Sequence, residues 1–292
     1  MLGLGLGLQK STKLGGFIGL LDLFPNAAAA YSLRKLRAAY SGNAIRVRKE
    51  VSAVSSETDI GFLADGSLDT VSLLAFASDA DSGDVFVVTW YDQSTNGNYA
   101  TQGAGANQPK IVSSGAVITE GTSAKPAIEF DGSSSLLTFP TITFGDLSMF
   151  TVFAADNNAQ DALVVQFAET GSQILTLGLG DNSTRDEISN RYRNNDVFDL
   201  SVGDATFSNT DLTLNTAIAI QSTPSVESYI DGANVLDSVN SRGGGSGSSL
   251  GARDDGAFYF DGKISEFVGY QSDQSSNRTA IETNINTFYS IY

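Results

Sequence analysis

The sequence predicts an all-β protein, an antiparallel β-sandwich of jelly-roll type with a short N-terminal helix and a C-terminal helix. From residue 85 onward, nearly every apolar run is four to eight residues long, which is the usual length of a strand. Gly, Asn, Asp or Ser bounds these runs, and such residues favour turns. Many short strands with few helical patterns favour a sandwich over an alternating α/β fold.

The length of 292 residues suits one large β domain. We find no internal repeat and no linker, so we predict an extended docking segment over residues 1–25 and a sandwich over 26–292. The chain has no cysteine and no histidine. Thiolate metal sites, disulfides and Ser-His-Asp chemistry are therefore excluded, and any catalysis rests on carboxylates, tyrosines or lysines.

The net charge of −16 argues against nucleic acid or an anionic membrane as a partner, because both need a basic face. No apolar run approaches the roughly 20 residues of a membrane span. The first eight residues are apolar but lack a basic leader, since Lys10 and Lys13 follow them. A secreted location is therefore the alternative rather than the first expectation.

The N-terminus alternates leucine with glycine. In an extended strand all the leucines point to one side, and such a strand has no second face to pack. We interpret it as an arm that docks on another subunit or protein, and a frayed terminus is the alternative. The docking residues are Leu2, Leu4, Leu6 and Leu8.

The next stretch predicts the N-terminal helix, over Ala27–Tyr40. Asn26 follows Pro25 and is suited to an N-cap. Apolar side chains then recur at helical spacing, at Ala29, Leu33, Leu36 and Tyr40. Ala44–Val51 alternates apolar and charged residues, which predicts a half-buried strand.

Further strands are predicted along the rest of the chain. Three Asp-Gly pairs, at 131–132, 231–232 and 261–262, each separate two apolar runs and predict tight hairpins. The predicted strands are 110–113, 116–120, 127–130, 135–139, 148–155, 162–168, 173–179, 188–193, 216–222, 226–230, 233–237, 248–252, 257–260 and 263–270. A last helix is predicted over about 276–289, with Ile281, Ile285 and Phe288 on its buried face.

The stretch Val85–Gln102 contains the only tryptophan, Trp90, at the end of a predicted buried strand. A polar turn follows it, and loops held by a rigid sheet often bind ligands. Polar and aromatic groups together suit a sugar. The candidate glycan-binding residues are Tyr91, Asp92, Gln93, Asn96, Asn98 and Tyr99. The alternative is a well-formed turn that binds nothing.

Three stretches carry a resemblance to known families. The first two, AYSLR…YSGNAIRVR from Ala30 and TWYDQSTNGN…TQ from Thr89, resemble the catalytic domain of fungal arabinofuranosidase B-type glycoside hydrolases. The third, FYFDGKISEF from Phe258, with the helix after it, resembles the closing hairpin and helix of concanavalin A-like, laminin-G-like domains. The combination looks like domains of tailed-bacteriophage virion proteins. The resemblance implies the fold more firmly than any activity.

The arabinofuranosidase resemblance implies a pair of catalytic carboxylates, a nucleophile and an acid/base. Glu169 in the stretch FAETGS corresponds to the nucleophile, and Asp255 in LGARDD corresponds to the acid/base. The sequence departs from the family pattern, because Val164-Val165 stands where the family has a vicinal cysteine pair. The alternative is that both are surface carboxylates of an acidic protein that is not an enzyme.

No cofactor is expected, apart from the Ca²⁺ that concanavalin A-like domains often hold. Asp181-Asn182, Asp131 and Asp92 are the candidate ligands, and none has a diagnostic spacing.

Two functions follow from these observations. The first is a bacteriophage virion structural protein, either a capsid-decorating, a head-fibre or a tail-associated subunit. It would assemble as a homo-oligomer with other virion proteins and display its sandwich to a host-surface glycan. The alternative is a retaining arabinofuranosidase-like glycoside hydrolase that uses Glu169 and Asp255.

Overall fold

The structure is a computed structural model that describes residues 17–142, 145–156, 161–168, 173–180, 187–194, 198–207, 210–237, 239 and 246–292. The described residues form three helices, α1 (Leu20–Leu23), α2 (Thr70–Ala77) and α3 (Arg278–Tyr289). The strands are β1 (Ala27–Ser32), β2 (Ile45–Val51), β3 (Val54–Ile60), β4 (Val85–Trp90), β5 (Ala100–Thr101), β6 (Lys110–Ser113), β7 (Ala116–Val117), β8 (Thr119–Glu120), β9 (Lys125–Pro126), β10 (Ile128–Asp131), β11 (Leu137–Phe139), β12 (Leu147–Ala155), β13 (Ala162–Ala168), β14 (Gln173–Leu179), β15 (Ile188–Asn194), β16 (Phe198–Asp204), β17 (Thr213–Ile220), β18 (Ser225–Ile230), β19 (Ala233–Val235), β20 (Ser248–Leu250) and β21 (Asp261–Tyr270).

All the strand pairings in the described part of the chain are antiparallel. β12 pairs with one edge of β21, and β1 and β10 share the other edge. Beyond β12 the sheet continues through β17, β18 and β19. From β10 it passes through β6, β4, β5 and β11 to β20 and β13. β14, β15 and β16 complete this second half.

The two halves of the sheet face each other across one apolar core. Met149 and Phe267 from the first half lie in the same buried cluster as Phe167 and Leu175 from the second. The far edges also approach, because the Gly203 N–H of β16 donates to a carbonyl just after β19 at 3.2 Å. The architecture is therefore an all-β antiparallel sandwich, and this part of the sequence prediction is confirmed.

A second apolar cluster covers the outer face of the first half. Phe150 of β12 and Val268 of β21 point outward and pack with Leu20 of α1 and with Ile281 and Ile285 of α3. All nine residues of β12 are consequently buried. The predicted C-terminal helix is confirmed, with its first residue at 278.

A buried ion pair joins β1, β21 and α3. Arg34 follows β1 and holds the carboxylate of Glu266 with two bonds, of 2.7 and 2.9 Å. Ser32 donates its hydroxyl to the same carboxylate at 2.7 Å, and Arg34 also donates to Asn284 on α3 at 3.0 Å. Glu266 is completely buried, so this pair ties the helix to the sheet from inside.

The helix predicted over residues 27–40 is wrong. Residues 27–32 form β1, which pairs with β21, and Asn26 has a φ of 67° and makes no cap. Ala28 and Ala29 pack into the first cluster while Ala30 packs into the second. Small side chains buried on both faces of a strand override the helical preference of alanine. The short N-terminal helix is instead α1, one turn long, and the boundary predicted at residue 25 stays a prediction.

Only one of the three predicted Asp-Gly hairpins is present. Asp231 and Gly232 both have positive φ, 51° and 78°, and they join β18 to β19. Asp131 ends β10, whose partners are β6 and β21 rather than the next strand. Asp261 and Gly262 begin β21 itself, and the strand predicted at 257–260 is wrong, because only Ala257 there makes a bridge, to Arg253. Long-range pairing therefore decides what an Asp-Gly pair does here.

The sequence analysis missed α2. Its N-cap is Asp69, whose carboxylate accepts the Ser72 N–H at 2.9 Å. Leu73 and Ala77 are its buried residues. The cap signal was present in the sequence, but the segment lacks a long apolar stripe.

Candidate functional site

Two polar segments lie at the ends of strands in this fold. The first is the polar turn, residues 91–98, which follows Trp90 at the end of β4. The second, which we call the carboxylate turn, is residues 253–257, between β20 and β21. An isolated bridge between Arg253 and Ala257 closes it. The candidate residues of the sequence analysis fall mainly in these two turns.

Asp92 of the polar turn is only 2% exposed. Its Oδ1 accepts the backbone N–H of Ala30 at 2.9 Å and that of Ser94 at 2.8 Å. Its Oδ2 accepts the N–H of Asn98 at 3.0 Å and the Ser94 hydroxyl at 2.6 Å. These four donors occupy the lone pairs of the carboxylate, so Asp92 fastens the turn to β1.

Gln93 is completely buried beside Asp92. Its amide oxygen accepts the Leu36 N–H at 2.7 Å. Its amide nitrogen donates to the carbonyls of Ser32 and Arg34, both at 3.0 Å. All the hydrogen-bonding groups of this side chain thus bind the segment that follows β1.

Asn96 and Asn98 also bind β1. Both donate their side-chain amides to the Ala28 carbonyl, at 3.1 and 2.8 Å respectively. Asn96 donates to the Ala27 carbonyl as well, at 3.0 Å. Four of the six candidate glycan-binding residues are therefore engaged with the protein itself, and a sugar would meet the two tyrosines.

We define the tyrosine surface as Tyr40, Tyr91 and Tyr99; Tyr91 is the first residue of the polar turn and Tyr99 follows its last. The Tyr91 and Tyr99 rings meet edge to face with centroids 5.1 Å apart, and Tyr99 is 44% exposed. The Tyr91 hydroxyl donates to Asp59 at 2.8 Å. Arg46 donates two hydrogen bonds to the same carboxylate, of 2.9 and 3.1 Å. An aromatic face beside an ion pair is a surface on which a neutral sugar ring can stack and hydrogen-bond.

The phenols of Tyr40 and Tyr91 stay protonated near neutral pH. Burial, and then the hydrogen bond to Asp59, raises the pKa of Tyr91 to about 12. Burial, and then the charge on Tyr99, raises the pKa of Tyr40 above its ordinary value. Both hydroxyls are therefore donors at physiological pH. Sequence analysis missed Tyr40, Asp59 and Arg46, although Arg46 and Asp59 are directly paired in β2 and β3.

The carboxylate turn presents two neighbouring aspartates in different ways. Asp254 faces the sheet, where its Oδ1 accepts the Gln166 amide at 2.8 Å and its Oδ2 accepts the Gly247 N–H at 2.8 Å. Asp255 points outward, with a side chain 54% exposed that accepts from Arg253 Nε at 2.7 Å. The hydrogen bond from Arg253 holds the pKa of Asp255 below its usual value.

Glu169, the other candidate catalytic residue, lies outside the described residues. The strand that leads to it is described. β13 pairs with β20, and the Ala168 N–H donates to the Ser248 hydroxyl at 3.0 Å. Through Gln166, β13 also touches Asp254. Strand β13, which ends at Ala168, and the carboxylate turn are thus neighbours in space.

The candidate calcium ligands are placed in part. Burial opposes the ionisation of Asp131, but hydrogen bonds from Ser133, Ser134 and Ser135 hold the pKa of its carboxyl well below the usual range. Like Asp92, Asp131 already binds donors of its own chain. Residues 181–182 lie outside the described part. Within the described ranges no three His, Cys, Asp or Glu residues cluster as metal ligands would, and the calcium site stays a prediction.

The fold defines the class of the protein as an all-β antiparallel sandwich of jelly-roll type. An arabinofuranosidase complexed with arabinofuranosyl-α-1,2-xylobiose is similar in structure, with a TM-score of 0.61 and 18% identity over 90% of this chain. A GH54 α-L-arabinofuranosidase soaked with a cyclic sulfate inhibitor gives a TM-score of 0.61 at 17% identity, also over 90% of this chain. A mutant of a GH54 α-L-arabinofuranosidase soaked with 4-nitrophenyl α-L-arabinofuranoside gives 0.60 at 17% identity.

This chain covers 63% of the length of each of those arabinofuranosidases. At such identities the similarity shows a shared fold. No protein-family model matches the sequence, and no curated protein does either. None of the helices in the described part of the chain has the length and apolar character needed to cross a bilayer.

Proposed function

We propose that the protein is a retaining glycoside hydrolase that acts on an arabinofuranoside. The contact between Gln166 and Asp254 supports this most directly, because it brings the carboxylate turn against the strand that leads to Glu169. The fold shared with arabinofuranosidases over 90% of the chain supports the same substrate class. The hydrolase thus takes the place of the virion structural protein, which was the first hypothesis drawn from the sequence.

In this mechanism Glu169 attacks the anomeric carbon and the glycosidic bond breaks. Asp255 must carry a proton, which Arg253 opposes by lowering its pKa; it gives this proton to the leaving oxygen and then takes one from the water that hydrolyses the glycosyl-enzyme. Asp255 is the aspartate that a substrate can reach, since its side chain is 54% exposed. Asp254 is a positioning residue, because both of its carboxylate oxygens accept bonds that fix the turn. Retention requires the two reacting carboxyl groups to lie about 5–5.5 Å apart.

The test is hydrolysis of 4-nitrophenyl α-L-arabinofuranoside by the purified protein. We expect Asp255→Asn to lower the rate by about 10²–10⁴-fold, the usual contribution of general acid–base catalysis. Glu169→Gln should abolish the covalent intermediate, which mass spectrometry of the quenched reaction would detect in the parent protein. Glu57→Gln, an exposed carboxylate on β3, is the matched control. Turnover that survives Glu169→Gln would overturn the assignment.

The second candidate function is glycan binding without cleavage, at the tyrosine surface. The exposed Tyr99 ring against Tyr91 favours it. Loss of one stacked ring costs about 1 kcal/mol, so Tyr99→Ala should weaken binding of a recognised glycan roughly fivefold on an array. Phe86→Ala, on another part of the sheet, should leave binding unchanged. A protein with no turnover but with Tyr99-dependent binding would favour this candidate over hydrolysis.

The virion location, assembly with other virion proteins and a homo-oligomeric state stay predictions. The proposed docking arm of Leu2, Leu4, Leu6 and Leu8 lies outside the described residues. Deletion of residues 1–13 tests it, with co-sedimentation of the protein and particles as the measurement. Normal incorporation of the truncated protein would contradict docking by the arm.

A further inference from the structure

A cleft of about 650 Å³ lies between α2, the β7–β9 segment and α3. α2 and the loop before it form one wall, the β7–β9 segment forms another, and the end of α3 closes the third side. None of its lining residues belongs to β13, β20 or the carboxylate turn. We call it the leucine cleft, after its main apolar residues, Leu33, Leu63, Leu68, Leu74, Val117 and Phe288.

The apolar lining of the leucine cleft reaches the solvent. Leu33 and Leu68 are buried at 3% and 2% exposure, whereas Leu63 and Leu74 are 42% and 38% exposed. Single exposed leucines are common on protein surfaces, but these two share one concave site with a buried apolar floor. A volume of this size falls within the range of about 300–1,000 Å³ that small-molecule sites occupy.

Lys125 stands over one wall of the cleft. Its Nζ lies 4.3 Å from the centroid of the Phe288 ring. No carboxylate of the described residues forms a salt bridge with it, whereas Lys49, Lys110 and Lys263 are all paired with acidic side chains. The Lys125 ammonium is a local attraction for an anion, although the net charge of −16 repels anions at longer range.

We propose that the leucine cleft binds a small apolar molecule that carries one carboxylate. The apolar part fills the space between Leu68 and Leu74, and the carboxylate pairs with Lys125. The Thr70 hydroxyl, also in the lining, can donate a hydrogen bond to the carboxylate, whereas the hydroxyls of Ser67 and Ser123 already donate to Asp65 and to the Tyr289 carbonyl. This ligand class is unlike a neutral sugar, so the site adds to the proposed glycan chemistry and does not depend on it.

Isothermal titration with decanoate and with decanol tests the proposal. Decanoate should bind, and Lys125→Met should weaken it about tenfold while binding of decanol stays unchanged. Lys125→Arg keeps the charge and should retain the affinity for decanoate. Lys49→Met is the matched control, because Lys49 Nζ lies 4.4 Å from the Phe76 ring centroid but outside the cleft. It should change neither affinity.

Two results would overturn the proposal. One is the absence of decanoate binding to the parent protein. The other is decanoate binding that Lys125→Met leaves unaltered in a variant whose circular dichroism matches the parent. A Leu74→Asp variant locates the apolar contact, since it should weaken decanoate and decanol together.

Discussion

The polar turn and the carboxylate turn both place aspartates at the end of a strand, but the aspartates differ in what they face. One faces its own chain and the other faces solvent. Asp92 is buried and accepts four hydrogen bonds from its own chain. Asp255 is exposed and meets only the groups of its own short turn, chiefly Arg253. The turn with more polar residues is therefore the structural one. A turn rich in Asp, Asn and Gln can use these side chains to satisfy backbone N–H and C=O groups. Whether they do so or face solvent depends on how deeply the turn is buried.

The largest effect is expected when a buried carboxylate loses its partner. Arg34→Met leaves Glu266 without its two guanidinium bonds inside the protein. Loss of one member of a buried pair costs about 3–5 kcal/mol, and urea unfolding would measure it. Arg46→Met is the control, since its partner Asp59 remains hydrated at the surface. An equal loss in both variants would show that burial does not separate the two kinds of carboxylate.

A second test acts on the two turns themselves. Asp92→Ala leaves the Ala30 and Asn98 N–H groups without their hydrogen-bond acceptor. We therefore expect a loss of about 3 kcal/mol in the free energy of unfolding. Asp255→Ala should change it by less than about 0.5 kcal/mol, as surface substitutions do. Chemical denaturation of both variants supplies the numbers. If Asp92→Ala is as stable as Asp255→Ala, the polar turn is not fastened by its aspartate.

A third test concerns the proton on Asp255. Arg253 lowers the pKa of this carboxyl in the folded protein, so the charged form is favoured and its stabilising effect is lost as pH falls through that pKa. Arg253→Met should raise the pKa toward 3.8, the ordinary value. Carboxyl ¹³C chemical shifts would record the change. In the proposed hydrolase, the decline of kcat/KM with rising pH should move to higher pH in the same variant.

The smallest expected effect is on the tyrosine surface. Asp59→Asn removes the carboxylate charge that accepts the Tyr91 hydroxyl. In the parent protein, burial and this hydrogen bond together raise the pKa of Tyr91. The pKa of Tyr91 should then fall from about 12 toward its ordinary value. Ultraviolet titration of the phenolate would follow it, with Asp92 variants avoided because they disturb the fold. A pKa that does not fall would mean that burial alone raises it.

Local patterns predicted the elements whose environment is also local. The alternation in Ala44–Val51 and the apolar runs at 162–168 and 173–179 matched strands, since their neighbours in sequence are their partners in the sheet. Ala27–Ser32 failed because its partner, β21, lies more than 200 residues away. Nothing within the alanine run shows that both of its faces will be buried.

The candidate sites were predictable to the same extent. Tyr91 directly follows the tryptophan strand and Tyr99 comes after the polar turn, and their partial exposure agrees with the end of the strand there. The burial of Asp92 and Gln93 depends on β1, which sequence analysis placed in a helix. The contact of Asp254 with Gln166 joins residues 88 positions apart. A contact between residues so far apart produces no periodic pattern in the sequence. Only the resemblance to arabinofuranosidases suggested that the two segments form one site.

The pairing of β1 with β21 has a consequence for how the chain folds as it is made. Ser32 and Glu266 are 234 positions apart, so β1 has no strand partner during synthesis until the ribosome has released β21. Domains with such distant pairings fold slowly, and an unpaired strand edge attracts other chains in the meantime. A protein built this way depends on chaperones, or on dilute conditions, more than its final stability would suggest.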